Sequence, residues 1–412
     1  MNTDRNKITA GSQIALMYLL ASLVYFMSYM TRVNYNTVLV EIASAEKISR
    51  SLLVLPLTAS FITYGFGQII SGWMGDRFDA FRLIFFGLIL SAAMNFLLPL
   101  FPGPQIMLIF WAVNGFAQAL IYPPLMKITS YYLSEQNYAK ACLFITFGSH
   151  GATLLLYLAV PVIIAVSGWK MVFRLSFFCA AIFAGVWLLY ARAVKRKYGM
   201  PEKMGLAPES RASLPLTRIL FSSGLLLIMT AVVMQGFLRD GIAAWMPAYL
   251  ADVFSLSNEI SILTTVVLPL FSIASAYLIM IVRNRICRNE LKLAGLTFLT
   301  AAGAILLLLL FRKNMPLSVL FLAMTSACSH AVNFLLICLV PTKFEKYGKF
   351  SLMTGLINSC TYLGAAISTY GFAAVSETYG WDVTLKLWGI IALTGFLCCI
   401  AALRRWNRFS GL

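Results

Sequence analysis

Two arginines, Arg32 and Arg239, are the residues best placed to do chemistry, because each lies inside a long apolar segment of the chain. An arginine at the centre of a bilayer costs roughly 3 kcal/mol on insertion scales. Arg32 stands 14 residues before Glu46, at the polar end of its segment. Arg239 stands 13 residues before Asp252, so the two cations have similar depths. The matched pair predicts a site for an anion that crosses a membrane. The alternative is that each arginine reaches a headgroup or pairs with a buried carboxylate.

The composition excludes a soluble globular protein, since 60% of the 412 residues are hydrophobic and only 11% are charged. A spanning helix needs about 20 apolar residues, so this length accommodates up to about a dozen spans with short loops. The sequence therefore predicts an all-α membrane protein with twelve transmembrane helices. The predicted spans are 14–42, 51–74, 82–101, 105–132, 138–166, 171–192, 219–250, 259–282, 291–312, 316–341, 350–376 and 382–404.

The longest hydrophilic stretch between the spans, 193–218, divides them into six and six. Two sets of six spans in the same order are the layout of a parallel repeat. We therefore expect two pseudo-symmetric six-helix bundles, an N-terminal one over 1–192 and a C-terminal one over 219–412. Residues 193–218 form the predicted cytoplasmic linker.

The net charge of +17 comes from basic residues scattered over short loops, which argues against nucleic-acid binding. Of the 32 lysines and arginines, 23 fall on the side of the termini and 7 on the other side. By the positive-inside rule, both termini and the linker are cytoplasmic. The loops are short and carry no N-x-S/T acceptor, which favours a bacterial cytoplasmic (inner) membrane.

The sequence offers no enzyme site: no nucleophile–base set, phosphate loop or metal-ligand cluster is present. The eight cysteines lie in apolar segments or in the basic loop 283–292, so we expect neither disulfides nor a metal. The expected partners are a small anionic substrate and the lipid bilayer. No cofactor is expected, and the protein is predicted to be a monomer.

The loop between the second and third predicted spans carries Gly72, Asp76 and Arg77 in the order G-x-x-x-D-R. This resembles the signature of the major facilitator superfamily. An acid and a base at a helix end can form a contact in one conformation and release it in another. Asp76 and Arg77 are therefore the predicted conformational switch.

Four other stretches carry a narrower resemblance: 25–34, 114–124, 237–250 and 355–364. Together they are similar to the organophosphate:phosphate antiporter family. The resemblance implies the major facilitator fold and a secondary active transporter. It also implies exchange of an organophosphate for inorganic phosphate by alternating access.

The resemblance also implies roles for individual residues. Arg32 and Arg239 would bind the phosphate group, and Gln68 stands where the family often has a lysine. His150 falls where the family has a substrate-linked histidine, and the alternative is a neutral core histidine hydrogen-bonded between helices. The remaining residues expected to line the substrate site are the tyrosines Tyr25, Tyr29, Tyr64, Tyr122 and Tyr362.

Two other functions stay open. A proton-coupled symporter of organic carboxylates would need a titratable group in the core, for which Asp240, Glu41 and His150 are the candidates. A sugar-phosphate sensor that does not transport also occurs in the resembled family. His330 and Asn333 are polar groups that the family does not lead us to expect.

Overall fold

The computed structural model describes residues 7–199, 216–256 and 264–411, and these residues contain helices and no strand. Twelve helices are long and apolar enough to cross a membrane, which confirms the all-α prediction. We number them as spans in chain order. Spans 1 to 6 are Gly11–Glu46, Leu52–Arg77, Ala80–Leu100, Pro104–Tyr132, Glu135–Ser167 and Trp169–Tyr198. Spans 7 to 12 are Leu225–Phe254, Val267–Arg285, Glu290–Leu310, Met315–Tyr347, Phe350–Ser368 and Ala374–Ser410.

The chain divides into two compact units. Among the described residues, unit 1 holds 7–199 together with Phe344–Ser359. Unit 2 holds the described residues from 216 to Lys343 and those from Cys360 onward. The end of span 10 and the first half of span 11 thus pack with unit 1. The bundle boundaries at 192 and 219 remain a prediction.

Unit 1 is built on a core of aromatic rings where spans 1, 4 and 6 meet. The ring of Trp111 lies 4.9 Å from Tyr35 and 5.9 Å from Phe173, between centroids, and all three residues are fully buried. Small residues bring the backbones close elsewhere. A Cβ at Gly148 would collide with the carbonyl oxygen of Ser22, so span 5 approaches span 1 more closely than an alanine would permit.

Unit 2 is held by a similar close approach between spans 7 and 11. A Cβ at Gly236 would collide with the carbonyl oxygen of Thr361, and one at Gly364 with that of Val233. Each helix thus has one glycine that faces the backbone of the other helix, and these two contacts fix the register of spans 7 and 11. A buried ion pair at 3.0 Å, between Arg283 and Glu290, joins the ends of spans 8 and 9.

Most predicted boundaries agree with the helices to within a few residues, and the differences have local causes. Span 1 is longer than predicted at both ends, and at its C-terminal end the polar residues Ser44 and Glu46 continue the helix past the predicted segment. The segment Phe350–Ser410 consists of two helices that meet at a kink at Gly380, where φ of 78° and ψ of 174° are not helical, between the predicted spans 350–376 and 382–404. Residues 200–215 of the predicted linker and 259–263 of the predicted eighth span lie outside the described residues.

Candidate functional site

Arg32 lies on span 1, half-buried, with its guanidinium against two tyrosine rings. The guanidinium carbon lies 4.5 Å from the ring centroid of Tyr29 and 4.9 Å from that of Tyr64. Tyr29 precedes Arg32 by about one helical turn, so the two share a face of span 1. Tyr64 reaches the same cation from span 2. Cation–π contacts of this kind stabilise a guanidinium by about 0.5–2 kcal/mol, more as water is removed.

The tyrosines predicted from the sequence form one cluster around this arginine. The ring of Tyr25 lies 5.2 Å from Tyr29 and 5.3 Å from Tyr122, between centroids. Tyr122 comes from span 4, so three helices of unit 1 contribute. The structure thus brings together four predicted side chains in unit 1, which we call the tyrosine cluster: Tyr25, Tyr29, Tyr64 and Tyr122.

A buried polar network holds span 1 directly behind Arg32. The carbonyl oxygen of Thr31 accepts hydrogen bonds from Nδ2 of Asn95, at 2.9 Å, and from Nδ2 of Asn114, at 3.0 Å. The hydroxyl of Thr31 accepts from Nε2 of Gln118 at 2.8 Å and from Ser91 Oγ at 2.9 Å. The full network of buried side chains is Ser28, Thr31, Asn34, Ser91, Asn95, Asn114, Gln118 and Ser176.

This network fixes the backbone of the residue before Arg32. A carbonyl oxygen has two lone pairs, and two side-chain amides donate to that of Thr31. In a regular α-helix this oxygen accepts a hydrogen bond from the N–H of the residue four positions later, which is Tyr35. In this structure the N–H of Tyr35 donates to Oδ1 of Asn34 at 2.8 Å. Asn34, Asn114 and Gln118 belong to the stretches 25–34 and 114–124 that carry the family resemblance, but the sequence did not predict that they contact one another. Their signal was the set of amides in otherwise apolar spans.

Arg239 lies on span 7 in a different setting. Its Nε donates to Asp240 Oδ1 at 2.9 Å and its Nη2 donates to Asp240 Oδ2 at 2.7 Å, a bidentate ion pair. Its Nη1 donates to Oδ1 of Asn333, on span 10, at 3.3 Å. The ring of Tyr362, on span 11, lies 5.7 Å from its guanidinium carbon. The carboxylate partner considered from the sequence is therefore present for Arg239.

Span 10 changes its helix type immediately after Asn333. Residues Phe334–Leu339 form a π-helix and Val340–Tyr347 form a 3-10 helix. Short π segments interrupt regular helices most often at functional sites. In the sequence, Asn333 was only an unexpected polar group. Its contact with Arg239 depends on packing between spans far apart in the chain, which a local sequence pattern cannot predict.

Gln68 lies on span 2 and His150 on span 5 of unit 1. Gln68 is fully buried, and its Oε1 accepts a hydrogen bond from Nδ2 of Asn358 at 3.1 Å. This contact lies inside unit 1, where a Cβ at Gly355 would collide with the Gln68 carbonyl oxygen. His150 is half-buried on span 5 and follows Gly148, the point of closest approach to span 1. The substrate roles of Gln68 and His150 remain predictions.

Asp76 and Arg77, the predicted switch residues, have separate surroundings. The carboxylate of Asp76 is buried and accepts from the backbone N–H groups of Ser351 and Leu352, each at 2.9 Å. It thereby caps the first turn of span 11, where a negative charge stabilises the helix. The guanidinium of Arg77 is exposed and lies 4.3 Å from the ring centroid of Trp73.

A buried lysine beside this cap was not singled out from the sequence. Lys127 lies in the helix Tyr122–Tyr132, inside the predicted span 105–132, and is only 3% exposed. Its Nζ donates to the carbonyl oxygen of Gly75 at 2.6 Å. Its ammonium group therefore stabilises the end of span 2, next to the Asp76 carboxylate.

The fold and these two clusters define a multi-pass, all-helical membrane protein with one arginine in the first span of each sequence half. The family model of the Major Facilitator Superfamily matches residues 21–369, well over half of the chain. The chain belongs to that superfamily.

The relatives of this chain point to one family within the superfamily. The Membrane sensor protein UhpC of Escherichia coli (strain K12) is 22% identical, over 92% of this chain and 90% of its own. The Glycerol-3-phosphate transporter of Bacillus subtilis (strain 168) is 26% identical, over 65% of this chain and 64% of its own. A probable hexose phosphate transport protein of Chlamydia trachomatis is 23% identical over 27% of this chain and 25% of its own. These names fit the resemblance to the organophosphate:phosphate antiporter family.

Solved structures share the fold. The proton:xylose symporter XylE, bound to a bromodeoxyglucose, aligns with a TM-score of 0.75 at 13% identity, covering 94% of this chain and 95% of its own. The transporter FucP, in the outward conformation, also aligns with a TM-score of 0.75 at 13% identity, covering 94% and 99%. Identities this low support the major facilitator fold alone.

Proposed function

We propose that this protein is a secondary active transporter of organic anions, which exchanges an organophosphate for inorganic phosphate by alternating access. Arg32 in unit 1 and Arg239 in unit 2 each bind the anion. The observation that carries the proposal is the presence, in the first long span of each sequence half, of an arginine whose guanidinium lies against a tyrosine ring. A guanidinium offers a planar fork that matches a phosphate or carboxylate and stays charged at every relevant pH.

A physical argument connects such a site with exchange. A buried cation is costly in a membrane, and a bound anion reduces that cost. The loaded carrier therefore changes conformation more easily than the empty one. Obligatory exchange follows, because return without a ligand is slow.

The orientation, location and assembly state belong to the same proposal. The excess of basic residues on one side supports cytoplasmic termini and a cytoplasmic linker over 193–218. Short loops support a bacterial inner membrane. We propose that the transporter acts as a monomer with bundles over 1–192 and 219–412. We assign it no catalytic residue, cofactor or metal, and we expect no binding of nucleic acid.

Counterflow in proteoliposomes tests the transport proposal. Vesicles loaded with phosphate and diluted into labelled phosphate would accumulate label, and an external organophosphate substrate would compete with it. Protein-free vesicles are the control. A proton gradient that drives uptake of a carboxylate without internal phosphate would favour the symporter instead. Absence of both exchange and anion binding by folded protein would refute an anion site.

A second candidate function is a sensor of anionic sugars. The similarity to Membrane sensor protein UhpC, which extends over 92% of this chain, favours it. A sensor and a transporter would both bind organophosphate, so binding does not distinguish them. Saturable binding by the purified protein, with no counterflow in vesicles of confirmed orientation, would support the sensor.

A further inference from the structure

The guanidinium of Arg239 is already engaged by a carboxylate of its own helix. Two nitrogens of the fork, Nε and Nη2, donate to the two oxygens of Asp240 at 2.9 and 2.7 Å. This is the geometry that a phosphate or carboxylate ligand would use. A ligand that takes the same edge of the fork must therefore displace Asp240.

The pair is built so that displacement requires no movement of a helix. Neighbouring residues of a helix point about 100° apart, so Arg239 and Asp240 meet only by bending their side chains toward each other. Their contact joins no two spans. The side chain of Arg239 is 12% exposed and that of Asp240 is 33% exposed. The more exposed carboxylate can thus turn away from the fork while the guanidinium stays in place.

Asn333 holds the other end of the guanidinium during such an exchange. Its Oδ1 accepts from Nη1 of Arg239 at 3.3 Å, on the nitrogen that Asp240 does not use. The ring of Tyr362 lies on a third helix of unit 2, at 5.7 Å from the guanidinium carbon. His330 is the titratable residue of span 10 nearest in sequence to Asn333, one helical turn before it. Asp240 is an acidic group in direct contact with the fork.

We propose that Asp240 is a specificity-determining residue, which occupies the fork of Arg239 in the absence of ligand and selects singly charged oxyanions over doubly charged ones. This inference rests on the proposed function, since it assumes that Arg239 binds the transported anion. The ligand class is a carboxylate, a phosphodiester or the singly ionised form of a phosphate ester. Phosphate monoesters have a second pKa near 6, so their singly and doubly charged forms both occur close to neutral pH.

The selection follows from Coulomb's law. The repulsion between Asp240 and a ligand in contact with Arg239 doubles when the ligand charge doubles. At contact distance, and at the effective dielectric of a protein surface, one added charge changes affinity by about tenfold or more. The carboxylate also compensates the cation when no ligand is bound, which lowers the cost of an arginine inside a membrane.

The test compares two probes that differ by one charge, methyl phosphate and dimethyl phosphate, both at pH 8. Isothermal titration calorimetry on the purified full chain gives the ratio of the two affinities. In Asp240→Asn we expect the ratio of dianion to monoanion affinity to rise by about tenfold or more. In Asn333→Asp, which places a second carboxylate on the same guanidinium, we expect the ratio to fall by a similar factor.

Asp252→Asn is the matched control. It removes the same charge from the same helix, but the Asp252 carboxylate accepts from Trp381 Nε1 at 2.9 Å and stands 13 residues from Arg239, about 20 Å along the helix. We expect its ratio to equal that of the wild type within twofold. If Asp252→Asn shifted the ratio as much as Asp240→Asn, the effect would be one of overall charge and the proposal would be wrong.

The outcomes separate this inference from the proposed function. An unchanged ratio in Asp240→Asn, in protein that binds the probes, overturns the role of Asp240 and leaves the anion site intact. If Asp240→Asn does not fold, the ratio in Asn333→Asp decides, and a ratio equal to the wild type overturns the proposal. If folded wild type and variants bind neither probe, the proposed function fails and this inference fails with it.

Discussion

The two arginine sites each hold a guanidinium group, but through different kinds of contact. In unit 1, Arg32 lies between two tyrosine rings at 4.5 and 4.9 Å, and the residue before it is fixed by the buried polar network. In unit 2, Arg239 lies in a bidentate ion pair with Asp240 and contacts Asn333, and its guanidinium carbon is 5.7 Å from the ring centroid of Tyr362. One site relies on aromatic faces, the other on an acid and an amide.

The difference implies that the two halves are not interchangeable. An aromatic ring contacts the face of a guanidinium, whereas a bidentate carboxylate contacts its hydrogen-bonding edge. We therefore propose that the side chains of the Arg32 site tune the strength of anion binding, and that those of the Arg239 site tune which anion binds. Variants at matched positions can break or sharpen this comparison.

The largest effect is expected from replacing either arginine. Arg32→Lys and Arg239→Lys keep the charge but lose the planar fork, so each should weaken anion binding and exchange by about 10- to 100-fold. Counterflow and calorimetry with inorganic phosphate measure both effects.

Arg82→Lys is the control for these two variants. Its side chain is 75% exposed and pairs with Asp79 at the start of span 3, so the same substitution is made outside both sites. Normal exchange by Arg32→Lys or Arg239→Lys, at equal expression, would contradict an anion site that uses both arginines.

The next effect in size concerns the polar network of unit 1. Asn114→Leu keeps the side-chain volume but removes the donor to the Thr31 carbonyl oxygen and the acceptor of Ser91. Buried groups left unsatisfied cost about 1–3 kcal/mol, so the melting temperature of the ligand-free protein should fall by about 5 °C. A thermal-shift measurement in detergent checks it.

Thr325→Val is the comparison for this variant. Thr325 is also buried, but its hydroxyl donates only to the carbonyl oxygen of Phe321, one turn earlier on its own helix. Its loss should lower the melting temperature by no more than about 2 °C. Equal melting temperatures for Asn114→Leu and the wild type would show that the network does not stabilise unit 1.

The sequence predicted the fold better than it predicted the site. Twelve apolar segments and the positions of the arginines follow from composition and spacing, because a bilayer imposes one length and one polarity on every span. The tyrosine cluster was also anticipated, since the resemblance named each ring. The Asn333 contact and the capping of span 11 by Asp76 were not, because both depend on packing between residues far apart in the chain.

A smaller effect is expected from the rings themselves. Tyr64→Leu should weaken phosphate binding about tenfold, because a close cation–π contact contributes about 0.5–2 kcal/mol. Tyr362→Leu should weaken it only two- to threefold, since its ring lies farther from the cation. The Tyr→Phe variants keep the rings and should bind like the wild type. Equal losses for the two Tyr→Leu variants would remove the distinction between the sites.

The smallest effect is expected from His150→Gln, which tests a role predicted from the resemblance. His150 lies on span 5 beside Gly148 and Gly151, where this span passes Ser22 and Phe26 of span 1. A protonated imidazole at that level would add positive charge near the tyrosine cluster and favour an anion.

Exchange by wild type should therefore rise relative to His150→Gln as the pH falls from about 8 to 5.5, by about two- to fivefold, across the ordinary histidine pKa of about 6.5. Taking the ratio of wild type to variant at each pH cancels the titration of the phosphate substrate. For His330→Gln, at the chain's other histidine, the ratio of wild-type to variant exchange should stay constant across this pH range. A constant ratio for His150→Gln as well would make His150 a packing residue, and the charge of the unit 1 site would then depend on Arg32.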